Sequence, residues 1–312
     1  MTRFDRPTSL DTPATVGSMT DESLRSNPHG LAGASSPTIG RWAVNGTSLY
    51  TEVRGSGPAI LIIPGGAEDA EGWRPVAERL AAGHKVVTYD RRGTLRSGRE
   101  AWPGRGSAQH ADDAAELLRA LGLVDVTVFG GSSAGIIAVQ LALRHPDLVR
   151  RALVYEPGSF RVVPRGAAFL EPANAAVLAH LEGHPEDWPG AYEVFRRAVA
   201  ATTPSAPEDD PLAPPPGLDW YERREATNAE PLVRDDIPIL TTETVDETAL
   251  AASDVEFIFA YGTRSVSLFR EIVEHLAAVR GEVPDAIDGV GHVLYVYPDE
   301  AATYVSALTG RS

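Results

Sequence analysis

From Thr38 onward, apolar and polar residues follow two different rhythms. The stretch "TIGRWAVNGTSLYTEVRGSG" alternates strand-fashion around Asn45-Gly46. That dipeptide tolerates the positive φ angles of a tight hairpin turn, so it predicts a pair of antiparallel strands. Further on, short unbroken apolar runs are separated by segments of helical spacing. They read "PAILIIPGG", "WRPVAERLAA", "HKVVTYD", "SAQHADDAAELLRALG", "DVTVFGG", "AGIIAVQLALRHP" and "VRRALVYEP". An unbroken apolar run suits a strand covered on both faces, and Gly122 and Pro146 mark helix ends. Alternating strands and helices predict an α/β fold: a mostly parallel central sheet with helices on both faces.

The alternation stops after Tyr155. Residues 158–236 are rich in Ala, Pro and Glu and carry helical pieces such as "EPANAAVLAHLEGH" and "AYEVFRRAVAA". Between them "TTPSAPEDDPLAPPPG" is too Pro-rich for a helix or a central strand. "DWYERREATNAEPLVRDD" predicts a further helix, whose Trp220, Tyr221, Arg224 and Asn228 face either a substrate or the insertion's own core and solvent. Strand and helix then resume with "DVEFIFAYG", "VSLFREIVEHLAAVRG", "EVPDAID" and "DEAATYVSAL". The expected organisation is a core of residues 39–157 and 237–312, interrupted by a helical cap at 158–236. Residues 1–38, rich in Ser, Thr, Pro, Gly and Asp, are expected to form a disordered tail, with Met19 as an alternative start.

Charge narrows the partners. The 28 Lys and Arg are outnumbered by 43 Asp and Glu, for a net charge of −15, and Lys85 is the sole lysine. Such a chain lacks the clustered cations that phosphate backbones and anionic membranes attract, so neither nucleic acid nor membrane is an expected partner. The absence of cysteine removes disulfides and a thiolate nucleophile. No secretory leader and no run of about 18 apolar residues is present, which makes the cytoplasm the expected compartment. Neither G-x-G-x-x-G after the first strand nor H-E-x-x-H occurs, so no cofactor and no metal is expected. The expected partner is a small-molecule substrate.

Gly131-Ser132-Ser133-Ala134-Gly135 fits G-x-S-x-G between a strand and a helix. A sharp strand-to-helix turn strains its central residue and crowds the neighbours, so small residues must flank it. Ser133 is therefore the candidate nucleophile, with Ser132 a small filler. Of eight histidines, His29 lies in the tail, and His110, His145 and His275 fall on predicted helices. His180 and His184 belong to the insertion, and His84 precedes a strand. His292, in the glycine-flanked loop "DGVGHVLYVYP", remains as the candidate base.

Four stretches carry a resemblance to the α/β-hydrolase family, over roughly residues 39–308: "IIPGG" (62–66), "YDRRGTLRSG" (89–98), "GSSAG" (131–135) and "GHVLYVYPDE" (291–300). The chain most resembles the capped esterases, lactonases and peptidases. The resemblance implies that Ser133 attacks an acyl carbon while His292 accepts its proton and returns it to the leaving group. It also implies an oxyanion hole from the backbone N–H groups of Ala134 and Gly66, with Pro64 at the family's usual histidine. The family commonly places an acid after the next-to-last strand, but this chain has Thr263, Arg264 and Ser265 there, and Glu271 falls inside a predicted helix. A second family location, used by haloalkane dehalogenases and zearalenone lactonases, corresponds here to Glu156 in "LVYEP". The resemblance thus implies Glu156 as third member, with Ser265, a backbone carbonyl, Asp285 or Asp288 as alternatives. Asp90, Arg91 and Arg92 read as a structural turn.

The expected function is serine hydrolysis of a small, largely apolar ester or lactone. Alternatives on the same fold are a C–C bond hydrolase, a proline-iminopeptidase-like peptidase, a cyclising or releasing enzyme, and a non-catalytic binder. A serine nucleophile disfavours epoxide hydrolysis and dehalogenation, which use a carboxylate.

Overall fold

Asn45 and Gly46 both take positive φ, 42° and 78°, and join β1 (Thr38–Val44) to β2 (Thr47–Arg54) as the dipeptide predicts. The computed structural model describes residues 36–102, 104–203 and 218–309. The expected disordered tail lies outside them except at its edge, where Thr38 already belongs to β1. Nearly all of the Pro-rich connector also lies outside.

Six further strands are β3 (Ala59–Ile63), β4 (Lys85–Tyr89), β5 (Val126–Gly131), β6 (Val149–Tyr155), β7 (Glu256–Gly262) and β8 (Asp285–Ile287). They form one eight-stranded sheet in the order β1-β2-β4-β3-β5-β6-β7-β8. The pairings β1–β2 and β2–β4 are antiparallel and the others parallel.

Successive residues of a strand point to opposite faces, and each face has its own cover. Ile60, Ile62 and Phe129 pack with α1 (Arg74–Leu80) and α9 (Pro298–Thr309). Leu61, Ile63 and Val128 pack with α2 (Ser107–Ala120), α3 (Ser133–Arg144) and α8 (Ser267–Val279). Burial on both faces explains why these strands read as continuous apolar runs.

The connection from β3 goes to β4 on one side, and the chain then returns to place β5 on the other side of β3. Such a reversal opens a crevice at the carboxyl ends of the two strands, where ligands bind in open α/β sheets. Between β6 and β7 lie α4 (Pro164–Gly183), α5 (Trp188–Ala200), α6 (Asp219–Pro231), a π-helical turn (Leu232–Asp236) and α7 (Glu247–Ala252). The helix expected from Glu171 starts earlier, at Pro164, and continues through Pro172. Gly166, Leu170, Ala173 and Val177 form one buried stripe across that proline, so tertiary packing outweighs the lost hydrogen bond. Among the described residues, no helix is long and apolar enough to cross a membrane.

Candidate active site

The strained corner between β5 and α3 is Ser132, with φ 54° and ψ −128°. The G-x-S-x-G pattern places it at Ser133, and contacts around the turn explain the one-residue difference. A tight corner brings together the residues two before and two after it. A Cβ on Gly130 would stand 2.3 Å from the Ala134 carbonyl oxygen and 3.0 Å from Ala138 Cβ. A Cβ on Gly131 would meet nothing closer than 3.5 Å. Gly135 is small for a separate reason, since its Cβ would lie 2.8 Å from Pro157 just beyond β6. The outer glycines of the G-x-S-x-G pattern are therefore not the pair that the corner demands. Holding a serine at this backbone conformation costs on the order of 1–3 kcal/mol. The surroundings hold it there: Ser132 N–H donates to Tyr155 O, and Ser132 O accepts from Gly135 and Gly158 N–H, all at 2.9–3.0 Å.

Ser133 becomes the first residue of α3 and is only 2% exposed. Its hydroxyl donates to Asp236 Oδ2 at 2.7 Å, rather than to His292. Ala134, the expected oxyanion donor, lies one residue deeper, fully buried against Gly130. The residue that follows the corner is Ser133.

Glu156, directly after β6, has a positive φ of 40° and no exposed surface. Its Oε1 accepts from Gly262 N–H at 2.7 Å and its Oε2 from Ser265 Oγ at 2.6 Å. Oε2 also meets His292 Nδ1 at 2.7 Å. The stretch after β7, where the family commonly places an acid, thus supplies donors to a carboxylate that arrives from β6. The alternative orienting groups are otherwise engaged: Asp285 accepts from Tyr304, Asp288 from Thr263, and Ser265 binds Glu156. Glu271 faces outward and pairs with Arg165 at 3.2 Å. The His292 ring stacks on Phe269, with centroids 4.0 Å apart and planes within 5°.

Gly66, Ser132, Ser133 and His292 share one pocket of about 690 Å³, partly open to solvent, at the carboxyl ends of the strands. Phe195 and Val199 of α5 and Tyr221 of α6 line its far wall. Arg224 and Asn228, two of the candidate substrate-facing residues, instead bind Asp69.

The family model of the α/β hydrolase fold matches residues 58–207. An α/β hydrolase from Sphaerobacter thermophilus superposes with a TM-score of 0.67 at 22% identity, over 86% of this chain and 100% of that one. The esterase EaEST from Exiguobacterium antarcticum superposes with a TM-score of 0.67 at 21% identity, over 88% and 99%. This chain has the α/β-hydrolase fold. Curated relatives match more locally. The uncharacterized hydrolase YraK of Bacillus subtilis is 41% identical over 119 residues, 38% of this chain and 44% of its own length. The putative carbamate hydrolase RutD of Azorhizobium caulinodans is 45% identical over 102 residues, 33% of this chain and 38% of its own. The chain thus spans less than half the length of either relative.

Three groups of this site are not among the candidates its sequence offers. Asp236 ends "LVRDD", where adjacent charges suggest a solvated end, yet it is buried against Arg91 with N–O distances of 2.7 and 3.1 Å. Arg91, read as part of a structural turn, also donates to Gly65 O at 2.9 Å. Burial works against the Arg91 charge, but Asp236 more than offsets it and holds the guanidinium above its ordinary value. Glu68 lines the pocket and accepts from Gly65 N–H at 2.6 Å and Trp73 Nε1 at 2.8 Å. Burial pushes its carboxyl up to about 7, against the opposing pull of these hydrogen bonds. "GGAEDAEGW" holds three acids close together, and nothing local says which one faces the pocket.

Proposed function

We propose that this α/β hydrolase is a serine hydrolase of a small, largely apolar ester or lactone, with Ser132 as nucleophile. Ser132 Oγ forms a bond to the acyl carbon while the carbonyl π pair moves onto oxygen and the hydroxyl proton passes to His292 Nε2. The bond to the leaving alcohol then breaks, and that proton follows it. Water repeats the sequence on the acyl-enzyme. Glu156, at Nδ1, fixes the imidazole tautomer and stabilises the imidazolium. Backbone N–H groups of Gly66 and Ser133 receive the oxyanion, replacing the expected pair of Gly66 and Ala134.

The backbone of Ser132 carries this reading. A non-glycine residue at φ 54° on a strand-to-helix corner, facing the pocket that His292 also lines, is strain spent at a reactive position. Ser133 suits the role less well, because its one hydroxyl proton is committed to a buried carboxylate. The helices between β6 and β7 act as a cap, and Phe160, Phe195, Val199 and Leu232 supply an apolar acyl or alcohol site. The names of YraK and RutD, both hydrolases, support bond hydrolysis, and RutD's offers carbamates as a second acyl class.

A fluorophosphonate probe tests the assignment. The adduct is expected on Ser132 by fragmentation mass spectrometry, to vanish in Ser132→Ala and to persist in Ser133→Ala. An adduct on Ser133 refutes the assignment. A wild-type chain that neither labels nor turns over 4-nitrophenyl esters is a binder rather than an enzyme.

A further inference from the structure

The two proposed oxyanion donors come from separate segments. Gly66 lies in the loop after β3, and Ser133 opens α3 after β5. A hydrogen bond to an oxyanion is strong only when both donors sit within a few tenths of an ångström of the right place. Something must hold the two segments at a set spacing.

One buried ion pair spans them. Arg91 donates to Gly65 O at 2.9 Å, next to the first donor. The same guanidinium grips Asp236 through both terminal nitrogens. Asp236 Oδ2 in turn accepts from Ser133 Oγ at 2.7 Å, on the residue of the second donor. Arg91, Asp236 and Ser133 are each at most 3% exposed, so water does not loosen the chain of contacts. The carboxylate also lies against the first segment, since a Cβ on Gly66 would stand 3.3 Å from Asp236 Oδ2. Desolvation makes a buried ion pair a poor source of net stability, and fixing geometry is a use it serves better. Arg91 also offsets the Asp236 charge, which would otherwise oppose an oxyanion forming close by.

We infer that the Arg91–Asp236 pair is a positioning device for the oxyanion hole, acting on one donor through Gly65 and on the other through the Ser133 hydroxyl. Neither side chain touches the reacting atoms. Asp236 sits in the π-helical turn that ends α6, so the same pair ties the hole to the pocket's far wall. The inference rests on Ser132 as nucleophile and on Gly66 and Ser133 as donors.

Ser133→Ala is the first test, because it cuts the hydroxyl link and leaves the ion pair whole. Turnover of a 4-nitrophenyl ester should fall roughly tenfold with KM little changed, a part of the hundredfold or more that loss of a whole donor costs. Binding of a trifluoromethyl ketone, which forms an oxyanion on Ser132, should weaken by the same factor. Asp236→Asn should do likewise, and the double variant should lose no more than the worse single one, because both act through one link. Unchanged ketone affinity in Ser133→Ala, or losses that simply multiply in the double variant, overturns the inference while leaving the nucleophile intact. Loss of fluorophosphonate labelling in Ser133→Ala instead overturns the Ser132 reading itself.

Discussion

Glu156 Oε2 lies 2.7 Å from His292 Nδ1 although 136 residues separate the two along the chain. The carboxylate leaves β6, crosses the end of β7, where Gly262 and Ser265 donate to it, and meets the loop after β8. Three neighbouring strands thus bring one acid and one base together. The contact is useful only if imidazole charge develops during the reaction.

Glu156→Gln should therefore lower kcat by orders of magnitude while leaving KM nearly unchanged, with a loss of up to about 10⁴ as seen for triad acids. Steady-state kinetics on a 4-nitrophenyl ester, with the melting temperature as a control for folding, provide the measurement. A rate near that of the wild type removes Glu156 from the mechanism.

The register of the corner predicts a contrast between adjacent glycines. Gly130→Ala drives a Cβ into backbone, 2.3 Å from Ala134 O, whereas Gly131→Ala finds ordinary contact distances. Gly130→Ala should cost about 1–3 kcal/mol or more, the usual penalty for overpacking, and Gly131→Ala much less. Urea unfolding of both variants reads the difference. Equal losses would place the tight approach elsewhere.

Arg92 and Asp113 form a buried pair with N–O distances of 2.6 and 2.7 Å, and Asp113 also accepts from Asn45 of the β1–β2 turn. Asp113→Ala leaves a buried guanidinium without its carboxylate, and such losses run to about 3–5 kcal/mol. Chemical denaturation should show a midpoint well below that of the wild type.

Glu68 gives stability a pH dependence of definite sign. Its carboxyl holds a proton up to about pH 7 when folded, against an ordinary value of 4.5. Between those limits the folded chain binds more protons than the unfolded one, so this group's contribution to stability declines as pH rises. Glu68→Gln should flatten that part of the profile and melt higher than the wild type at pH 8, with little difference at pH 4.5 or below. Melting temperatures across that range decide it; an identical slope in both proteins rejects the assignment.

The sheet and its helices were legible because burial on two faces writes a continuous apolar run, and a helix against a sheet writes a spacing of three and four. Asn45-Gly46 announced its turn for the same local reason. His292 was reachable as a candidate by exclusion, since the other histidines fall on predicted helices, before a strand, in the insertion or in the tail. Pro172 is the counterexample among elements: its local preference to break a helix yielded to a buried stripe that only packing could create.

By itself the sequence determined the α/β architecture, the small-residue strand-to-helix corner and the loop histidine, because each is encoded by residues adjacent along the chain. Its G-x-S-x-G pattern pointed to Ser133 as the candidate nucleophile, one residue past the corner that the fold forms at Ser132. Tertiary structure alone decided that the corner falls on Ser132, where Gly130 meets Ala134 across the turn. It alone paired Arg91 with Asp236 and turned Glu68 inward. Those outcomes depend on which distant segments share a volume from which water is excluded, and the spacing of residues along the chain holds no record of that.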